Sequence, residues 1–525
     1  MYNMKLKSTL TKIVCLAACV CTAAVPVGML TACGGDRPQN VVVEDIKFDE
    51  YGKPIFVDED GKGITLNVWS VVGAPDNTYL NIVNKSFNDT NRANGLQANI
   101  NSVDTFQFYT QIVNTINTDP KNAPDVIIMH SERLTYHVDQ NVIVPVSDVF
   151  EKLGENNTFD ADNYLTNVIS ECYAKGRSDD ETKLYGVPLD VHSGIWFVRE
   201  DILKKNGLAM PTTKAEFESV CAALMEKKAN GELWVRSMTD IKTQIDNLTD
   251  KFDEAAKTAI RENAWRKIGP ESDFYPVEMS GADNIESGWI PQSAVLQNGG
   301  KLCNADGTPA WNTSTGLKSS LEMISGWRDK YIGKNRSNET MWVNFGSGNA
   351  IFACEGPWFA ESRLNEYDTY LGEGALGIRS LSGLYADDPT SETAGLIYGV
   401  GHAVCITNSR SNESMTRRLA GALYAQYITE NSAKYTAGGH IPACKLVLES
   451  DEYKNSTAYN RYIKYMGDPE DYVMLGNTKY FSEVYEQLKM AYIYTLSNNK
   501  TGTVEDFIRQ CYQTAMDEIS GASSL

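Results

Sequence analysis

Short β-rich runs alternate with helical stretches between residues 64 and 129, and this alternation limits the possible fold more than any other feature. Apolar and β-branched residues concentrate at 64–72 (ITLNVWSVV), 97–103 and 124–129 (PDVIIM). Apolar residues at helical spacing separate these runs, at 77–88 and 108–116. Strand, helix, strand, helix, strand is the order of a parallel sheet with crossover helices. The sequence therefore predicts an α/β fold.

A second α/β region begins near residue 185. With 525 residues, the chain is too long for one ordinary hydrophobic core and is expected to form at least two domains. The further predicted elements are strands at 193–198 and 350–353, and helices at 214–228, 242–265, 314–330, 417–431 and 503–519.

The N-terminus has the organisation of a bacterial lipoprotein signal peptide, predicted at 1–32. A basic start is followed by an apolar stretch at 13–29, which is too short and too broken for a transmembrane helix. The run LTAC at 30–33 resembles a lipobox, which implies cleavage before Cys33 and attachment of a diacylglyceryl group to its thiol. The segment 33–63 is rich in Asp, Glu, Gly and Lys, and we interpret it as a lipidated tether.

Composition disfavours several functions. The formal net charge is −20, and a surface that acidic repels phosphate backbones, so nucleic-acid binding is not expected. Of the 11 cysteines, the seven that follow Cys33 are widely scattered and contain no C-x-x-C pair. Such a set predicts neither a disulfide framework nor a zinc site, and we interpret these cysteines as mostly buried free thiols.

Eight short segments in a fixed order carry a resemblance to a known family. They are NVWS at 67–70, APDV at 123–126, KLYGVPLD at 183–190, IWFV at 195–198, DILKKNG at 201–207, PTT at 211–213, FGSGNA at 345–350 and EGPW at 355–358. Their order and spacing over 64–446 resemble extracellular solute-binding proteins of the sugar-binding class, those similar to maltose-binding protein. The resemblance implies a two-lobe periplasmic-binding-protein type II fold, with a hinge between lobes that close on the ligand.

The resemblance also implies where the lobes begin and end. The chain would cross between lobes near 187–192, 398–404 and 439–444. The stretch 234–290 does not match the short family pattern, and insertions there can reshape the wall of the cleft. The implied domains are 64–188 plus 399–440 for lobe one, and 189–398 plus 441–525 for lobe two.

Candidate ligand contacts follow from the chemistry of sugars and from the implied hinge. A sugar presents hydroxyl groups and apolar ring faces, so its site requires aromatic platforms beside planar polar side chains. Open α/β sheets bind ligands at the carboxyl ends of their strands. Trp358 corresponds to a stacking position in the family. The candidate contacts are Trp69, Asp104, His130, Asp190, His192, Trp196, Glu355, Trp358 and His402.

Several candidates have a structural alternative. Core packing explains a tryptophan in a strand, such as Trp69 or Trp196, as well as ligand stacking does. A cap at a strand end is the alternative for Asp190, and an ion pair with a lysine is the alternative for Glu355.

The five histidines are placed unusually for so small a number. His192, His402 and His440 fall on the three implied crossings, and His130 follows a predicted strand. Converging imidazoles suit either a metal ion or hydroxyl groups. No HExxH or His-x-His pairing occurs, so the sequence favours histidines that form hydrogen bonds in the cleft or the hinge. Neither a metal site nor a cofactor is predicted.

The sequence favours a binding protein without catalytic residues. The resemblance implies that it captures a carbohydrate, in particular an oligosaccharide, and delivers it to the permease subunits of an ABC transporter. It is expected to be a monomer, lipid-anchored to the outer face of the cell membrane. The motif G-x-G-x-x-G at 372–377 is not followed by a helical pattern, so we interpret it as a turn before a strand.

Two alternatives stay open. One is an exported carbohydrate-active enzyme, which requires two carboxylates at hydrolytic spacing. The 68 acidic residues allow many such pairs, and nothing in the sequence distinguishes one. The other alternative keeps the fold but changes the ligand to a peptide, a polyamine or a metal chelate.

Overall fold

The structure is a computed structural model that describes residues 46–57, 62–119, 122–177, 179–279, 281–328, 330–333, 338–409, 414–476, 478–497 and 501–523. The predicted signal peptide, the predicted lipidation site Cys33 and much of the predicted tether lie outside these residues. Within the described ranges, no helix is both long enough and apolar enough to cross a bilayer.

The strands fall into two main sheets and several two-stranded pairs. In chain order they are β1 (Ile64–Ser70), β2 (Leu96–Ser102), β3 (Val126–His130), β4 (Tyr173–Ala174), β5 (Lys183–Leu184), β6 (Gly186–Pro188), β7 (Asp190–Val191), β8 (Ile195–Val198), β9 (Leu233–Val235), β10 (Arg266–Ile268), β11 (Val277–Glu278), β12 (Phe352–Glu355), β13 (Gly377–Ser380), β14 (Ile397–Tyr398), β15 (His402–Ile406), β16 (Ile441–Pro442) and β17 (Tyr472–Val473).

Helices occupy most of the chain between the strands. They are α1 (Asp76–Asn91), α2 (Thr105–Thr118), α3 (Leu134–Asp139), α4 (Val146–Phe150), α5 (Thr166–Ile169), α6 (Glu200–Lys205), α7 (Lys214–Ala229), α8 (Met238–Asp246), α9 (Glu254–Asn263), α10 (Ile285–Gln297), α11 (Thr315–Arg328), α12 (Asn338–Ser347), α13 (Ala360–Leu371), α14 (Met415–Glu430), α15 (Lys445–Glu449), α16 (Asp451–Lys454), α17 (Thr457–Arg461), α18 (Gln487–Leu496) and α19 (Val504–Ser523).

The first sheet has the strand order β2-β1-β3-β15-β6. β1 pairs in parallel with β2 and β3, whereas β15 runs antiparallel to both β3 and β6. The consecutive residues Val126, Ile127, Ile128 and Met129 are all fully buried, which means that both faces of β3 are covered. The predicted order of three strands and two crossover helices is confirmed.

The second sheet has the strand order β11-β12-β8-β13. β8 is antiparallel to β12 and β13, and Trp196 lies between Cys354 and Arg379 in the register. All four residues of β8 are buried, so this strand forms the centre of the second core.

Three extended segments connect the two sheets. The chain leaves the first sheet after β6, passes through β7 and enters the second sheet at β8. It returns to the first sheet at β15, and β16 then pairs with β7, where Ile441 lies opposite Val191. His192 also forms a β-bridge to Val400, so the three connecting segments lie side by side. The residue boundaries of the two lobes stay predictions.

The single helix predicted at 242–265 is wrong. The chain forms α8 and α9 instead, and residues 247–253 separate them. The side chain of Asp253 accepts a hydrogen bond from Ala256 N and so begins a new helix. The predicted turn at 372–377 is confirmed, because Gly372 and Gly374 have positive φ and β13 follows directly.

The cysteines agree with the interpretation from sequence. The structure describes seven free cysteines, of which all but the half-buried Cys303 are buried. At Cys221, for example, burial raises the pKa of the thiol well above its ordinary value, so this side chain acts as a small apolar group.

Candidate functional site

Asp190 lies at the centre of a buried polar cluster where the three connecting segments meet. It is the first residue of β7 and is 0% exposed. Its Oδ1 lies 3.1 Å from His192 Nδ1, and its Oδ2 lies 2.8 Å from His402 Nδ1. Because side chains alternate along an extended chain, Asp190 and His192 point to the same side. His402 begins β15, so the carboxylate joins the first and second connecting segments.

His440 brings the third connecting segment into the same cluster. Its Nδ1 lies 3.2 Å from His192 Nδ1 and 3.7 Å from Asp190 Oδ1. Its Nε2 lies 3.0 Å from Oδ2 of Asp76, the first residue of α1. The ring of Tyr435 stacks on the imidazole, with centroids 4.7 Å apart and an interplanar angle of 4°. These contacts fix both the position and the plane of the His440 ring.

Burial and mutual charge set the protonation states of this cluster. Burial opposes ionisation of Asp190, but His402 and His440 outweigh it and hold the pKa of Asp190 well below its ordinary value. Burial alone would lower the pKa of His440, but the carboxylates of Asp190 and Asp76 raise this pKa to about 10. Burial lowers the pKa of His192 to about 4. At neutral pH the cluster therefore contains a carboxylate, an imidazolium at His440 and a neutral imidazole at His192.

His130 extends the cluster into the first sheet. It ends β3 and lies directly opposite His402 in the antiparallel register, with ring centroids 5.1 Å apart. Its Nδ1 lies 2.9 Å from the hydroxyl of Tyr109. Burial lowers the pKa of His130 well below its ordinary value, so this ring is neutral. The structure thus brings His130 to the cluster, while its contact with a ligand stays a prediction.

Two tryptophans border the histidine cluster. Trp358 is half-buried, and its ring centroid lies 6.2 Å from that of His192. Trp289, on α10, lies 6.3 Å from His192 and 6.0 Å from Trp358. These rings meet edge to face, as aromatic pairs prefer. Trp289 belongs to the stretch 234–290 that departs from the family pattern, and this stretch therefore contributes to the site.

Several buried polar atoms at this junction have no hydrogen-bond partner among the described residues. They include Asp76 Oδ1, Ser193 Oγ, Trp289 Nε1 and both side-chain polar atoms of Gln292. Gln292 is 0% exposed and follows Trp289 by three residues, which places both side chains on one face of α10. By contrast Gln297, on the same helix, donates hydrogen bonds to two backbone carbonyls. An unpaired buried polar group costs about 1–3 kcal/mol, so this surface favours a polar ligand.

Two of the predicted ligand contacts have structural roles. Trp196 is 1% exposed, its Nε1 donates to the hydroxyl of Tyr385, and its ring packs against Phe217 and Phe352. Neither ring face is therefore open to a sugar, and the prediction for Trp196 is wrong. Asp104 is an exposed helix cap whose Oδ1 accepts hydrogen bonds from two backbone N–H groups of α2. The cap accounts for Oδ1, and a contact between Asp104 and a ligand stays a prediction.

Trp69 and Glu355 are not members of the histidine cluster. Trp69 is partly buried on β1 and packs against the core of the first sheet. Glu355 ends β12, three residues before Trp358, and its Oε1 accepts a hydrogen bond from Gly356 N. Burial raises the pKa of Glu355 above its ordinary value. Both residues stay predictions as ligand contacts.

Sequence reasoning missed Asp76, Trp289, Gln292 and Ser193. Asp76 had a usable signal, because it follows the carboxyl end of the parallel strand β1, and His130 lies at the carboxyl end of the neighbouring strand β3. Trp289 and Gln292 had none, since α10 reaches the junction only through tertiary packing against β12 and β14.

Three solved structures with the same architecture illustrate the likeness of the fold. The sugar-binding protein MalE from Xanthomonas citri is 16% identical, with a TM-score of 0.61 over 88% of this chain and 100% of that chain. The GacH receptor of Streptomyces glaucescens, solved unliganded and with acarbose, is 14% identical, with a TM-score of 0.60 over 86% and 97%. The ABC substrate-binding protein Lmo0181 from Listeria monocytogenes, solved with cycloalternan, is 14% identical, with a TM-score of 0.58 over 87% and 100%. This likeness confirms the predicted two-lobe type II fold.

The sequence itself matches a family model over most of its length. No curated protein sequence shows significant similarity to the chain. Residues 85–461, however, match the model described as bacterial extracellular solute-binding protein, which spans more than half of the chain. The chain belongs to this bacterial extracellular solute-binding family and is therefore an extracytoplasmic binding protein.

Proposed function

We propose that this protein binds a carbohydrate, in particular an oligosaccharide, at the junction of its two sheets and performs no chemistry on it. The observation that carries the proposal is that two tryptophan rings border buried polar atoms without partners in the described chain. The apolar face of a sugar ring packs on an aromatic ring, while its hydroxyl groups supply both donors and acceptors. The junction offers both kinds of contact.

One wall of the proposed site is α10. The hydroxyl of Ser293 accepts a hydrogen bond from Tyr398 N, which fixes the helix beside the second connecting segment. Asp190, His192 and His402 are engaged with one another and form the floor. The residues that we propose to contact the ligand are Trp289, Trp358, Gln292, Ser193, Glu355 and His130.

Proteins with the same fold support a carbohydrate ligand and an importer as partner. The Xanthomonas citri protein is named as sugar-binding, and two other structures contain acarbose and cycloalternan. The Listeria monocytogenes protein is named as an ABC substrate-binding protein. We therefore propose that the partners of this chain are the permease subunits of an ABC transporter. The chain would dock on them as a monomer, in its closed, ligand-bound form.

We also propose that the protein is lipid-anchored to the outer face of the cell membrane through Cys33. The lipobox-like run LTAC at 30–33 supports this anchor. Cys33→Ser is expected to abolish incorporation of labelled palmitate in a bacterial host and to release the protein from the membrane fraction. Labelled lipid on the Cys33→Ser protein would contradict the anchor but leave the ligand proposal intact.

The ligand is tested by calorimetric titration of the full chain, purified in detergent, with linear maltodextrins, cyclic oligosaccharides, acarbose, spermidine and short peptides. We expect binding by one carbohydrate class only. A ligand at 100 times its dissociation constant should also stabilise the folded state by about 2.7 kcal/mol. Trp358→Ala should weaken binding by about tenfold, which corresponds to about 1.4 kcal/mol.

Trp234→Ala is the matched control, because Trp234 is a half-buried tryptophan on β9, away from the junction. It should leave carbohydrate affinity unchanged. Binding only of spermidine or peptides would refute the carbohydrate assignment. Recovery of a cleaved carbohydrate would refute the absence of chemistry and favour the enzyme alternative.

A further inference from the structure

Four atoms of the kind that bind metal ions converge in the histidine cluster. An oxygen of Asp190 and one ring nitrogen each of His192, His402 and His440 all lie within 4.8 Å of one another, and all four residues are buried. His402 Nδ1 lies 2.8 Å from Asp190 Oδ2, whereas His192 Nδ1 lies 3.1 Å from Asp190 Oδ1 and 3.2 Å from His440 Nδ1. A tetrahedral ion with bonds of about 2.0–2.1 Å holds its ligand atoms about 3.3 Å apart. The closest of these contacts match that spacing, and the 4.8 Å limit on the whole set means that small side-chain shifts would bring all four atoms onto one ion.

Hydrogen bonds cannot account for every close contact in the cluster. His192 Nδ1 lies 3.1 Å from Asp190 Oδ1 and 3.2 Å from His440 Nδ1. A ring nitrogen carries either one proton or one lone pair, directed along a single line in the ring plane. If His192 Nδ1 carries a proton and donates it to Asp190, it cannot also accept a hydrogen bond from His440. If it carries a lone pair directed at His440, that lone pair lies beside a carboxylate oxygen and repels it. A cation among the three atoms attracts all of them at once.

The surroundings of His440 are those of a metal-binding imidazole. Its second nitrogen, Nε2, lies 3.0 Å from the carboxylate of Asp76. A carboxylate on the distal nitrogen commonly orients an imidazole that binds a metal ion and makes it more basic. The stacked ring of Tyr435 holds the imidazole plane from the side. Nδ1 of His440 is therefore directed into the cluster by groups outside it.

We propose that Asp190, His192, His402 and His440 form a binding site for a divalent transition-metal ion, for which Zn²⁺ is the best match. Three imidazoles and one carboxylate suit Zn²⁺, whereas Ca²⁺ and Mg²⁺ prefer oxygen ligands. The ligands come from all three connecting segments, so a bound ion joins these segments at one point. This site goes beyond the proposed carbohydrate function, because it assigns a second ligand that fixes the hinge.

The test is a titration of Zn²⁺ into the full chain, purified in detergent, treated with a chelator and free of carbohydrate. We expect one equivalent of Zn²⁺ to bind. His192→Gln and His440→Gln should each weaken binding by at least about 100-fold, and Asp76→Asn, which removes only the outer carboxylate, by about 10–100-fold. His137→Gln is the matched control, because His137 is a buried histidine on α3 outside the cluster, and it should bind Zn²⁺ as the wild type does.

A measurement on the wild type keeps the proposal testable if the variants do not fold. The Co²⁺-loaded protein should show the intense visible bands of tetrahedral Co²⁺ and no charge-transfer band from thiolates. A thiolate band, a weak octahedral spectrum, or equal Zn²⁺ affinity in the wild type and His192→Gln would overturn the site. Because no carbohydrate is present, failure of the carbohydrate proposal does not change this result.

Discussion

At the scale of single residues, the charge of Asp190 should contribute strongly to stability. Its buried carboxylate accepts hydrogen bonds from His192 and His402 and lies beside the imidazolium of His440. Asp190→Asn removes the charge but leaves the histidines buried. Breaking a buried ion pair in this way costs about 3–5 kcal/mol. Urea denaturation of the chelator-treated protein should show a loss of this size in the free energy of unfolding.

Asp104→Asn is the control for this substitution. Asp104 is an exposed helix cap, and asparagine caps helices about as well as aspartate does, so the change should stay below about 0.5 kcal/mol. A loss below about 1 kcal/mol for Asp190→Asn would show that the charge of the cluster contributes little to stability.

Glu171 gives the stability a pH dependence of definite sign. Its carboxyl is buried, its Oε1 accepts a hydrogen bond from Gly476 N, and burial raises its pKa from 4.5 to about 7. Because the pKa is higher in the folded state, its stabilising contribution is complete below about pH 4.5 and is lost as the pH rises through about 7. The shift corresponds to about 3 kcal/mol. The wild type should therefore lose stability between about pH 5 and pH 8.

Glu171→Gln isolates this effect, because it keeps an acceptor for Gly476 N but has no proton to release. Its free energy of unfolding should fall less than that of the wild type over the same pH range. Parallel stability curves for the two proteins would mean that Glu171 does not cause the fall.

Trp196 and Trp358 show what the sequence could reveal about single residues. Trp196 lies within the apolar run IWFV and is in a core, whereas Trp358 follows Gly-Pro and borders the junction. The family resemblance placed Asp190, His192 and His402 on connecting segments, and the structure brings them together. The sequence could not predict the contact between His440 and Asp76, because tertiary packing alone joins residues that far apart in the chain.

At the scale of secondary-structure elements, the connecting segments lie so close together that only glycine fits at Gly401. A Cβ there would lie 2.3 Å from the backbone oxygen of Asp190, whereas a Cβ at Gly73 would meet no atom within 4 Å. Neither glycine is in the left-handed region, so backbone strain does not distinguish them. Gly401→Ala should cost about 1–3 kcal/mol through overpacking, and Gly73→Ala less than about 0.5 kcal/mol.

Urea denaturation of both variants measures this difference. Similar free energies of unfolding for Gly401→Ala and Gly73→Ala would contradict the close approach of the second connecting segment to the first. Gly401→Ala should also reduce the affinity for Zn²⁺, because His402 is the next residue and would move with the displaced segment.

Elements with a strong local pattern were predictable, and their boundaries were correct to within a few residues. β3 is an example, because its continuous apolar run at 124–129 is bounded by a proline and by polar residues. The break within 242–265 was not predictable, since helix-forming residues continue on both sides of it and Asp253 caps the second helix. The crossings between the sheets came from the family resemblance and not from periodicity, which carries no information on which sheet a strand joins.

At the scale of the whole molecule, a contact joins α1, which follows β1 of the first sheet, to α13, which lies between β12 and β13 of the second sheet. The hydroxyl of Tyr79, on α1, donates a hydrogen bond to the carboxylate of Glu361, on α13. Burial, together with this carboxylate, raises the pKa of Tyr79 to about 12. The hydroxyl therefore keeps its proton at neutral pH and acts as the donor.

Tyr79→Phe should shift the balance between open and closed forms toward the open form, because a ligand held between the lobes binds the closed one. One such hydrogen bond contributes about 0.5–1.5 kcal/mol, so carbohydrate affinity should fall by about two- to tenfold. Tyr136→Phe is the control, since Tyr136 is 43% exposed on α3. Calorimetry measures the affinities, and small-angle X-ray scattering should give a larger radius of gyration for ligand-free Tyr79→Phe than for the wild type. If Tyr79→Phe matches the wild type and the control in affinity and radius of gyration, this contact does not affect the balance between open and closed forms.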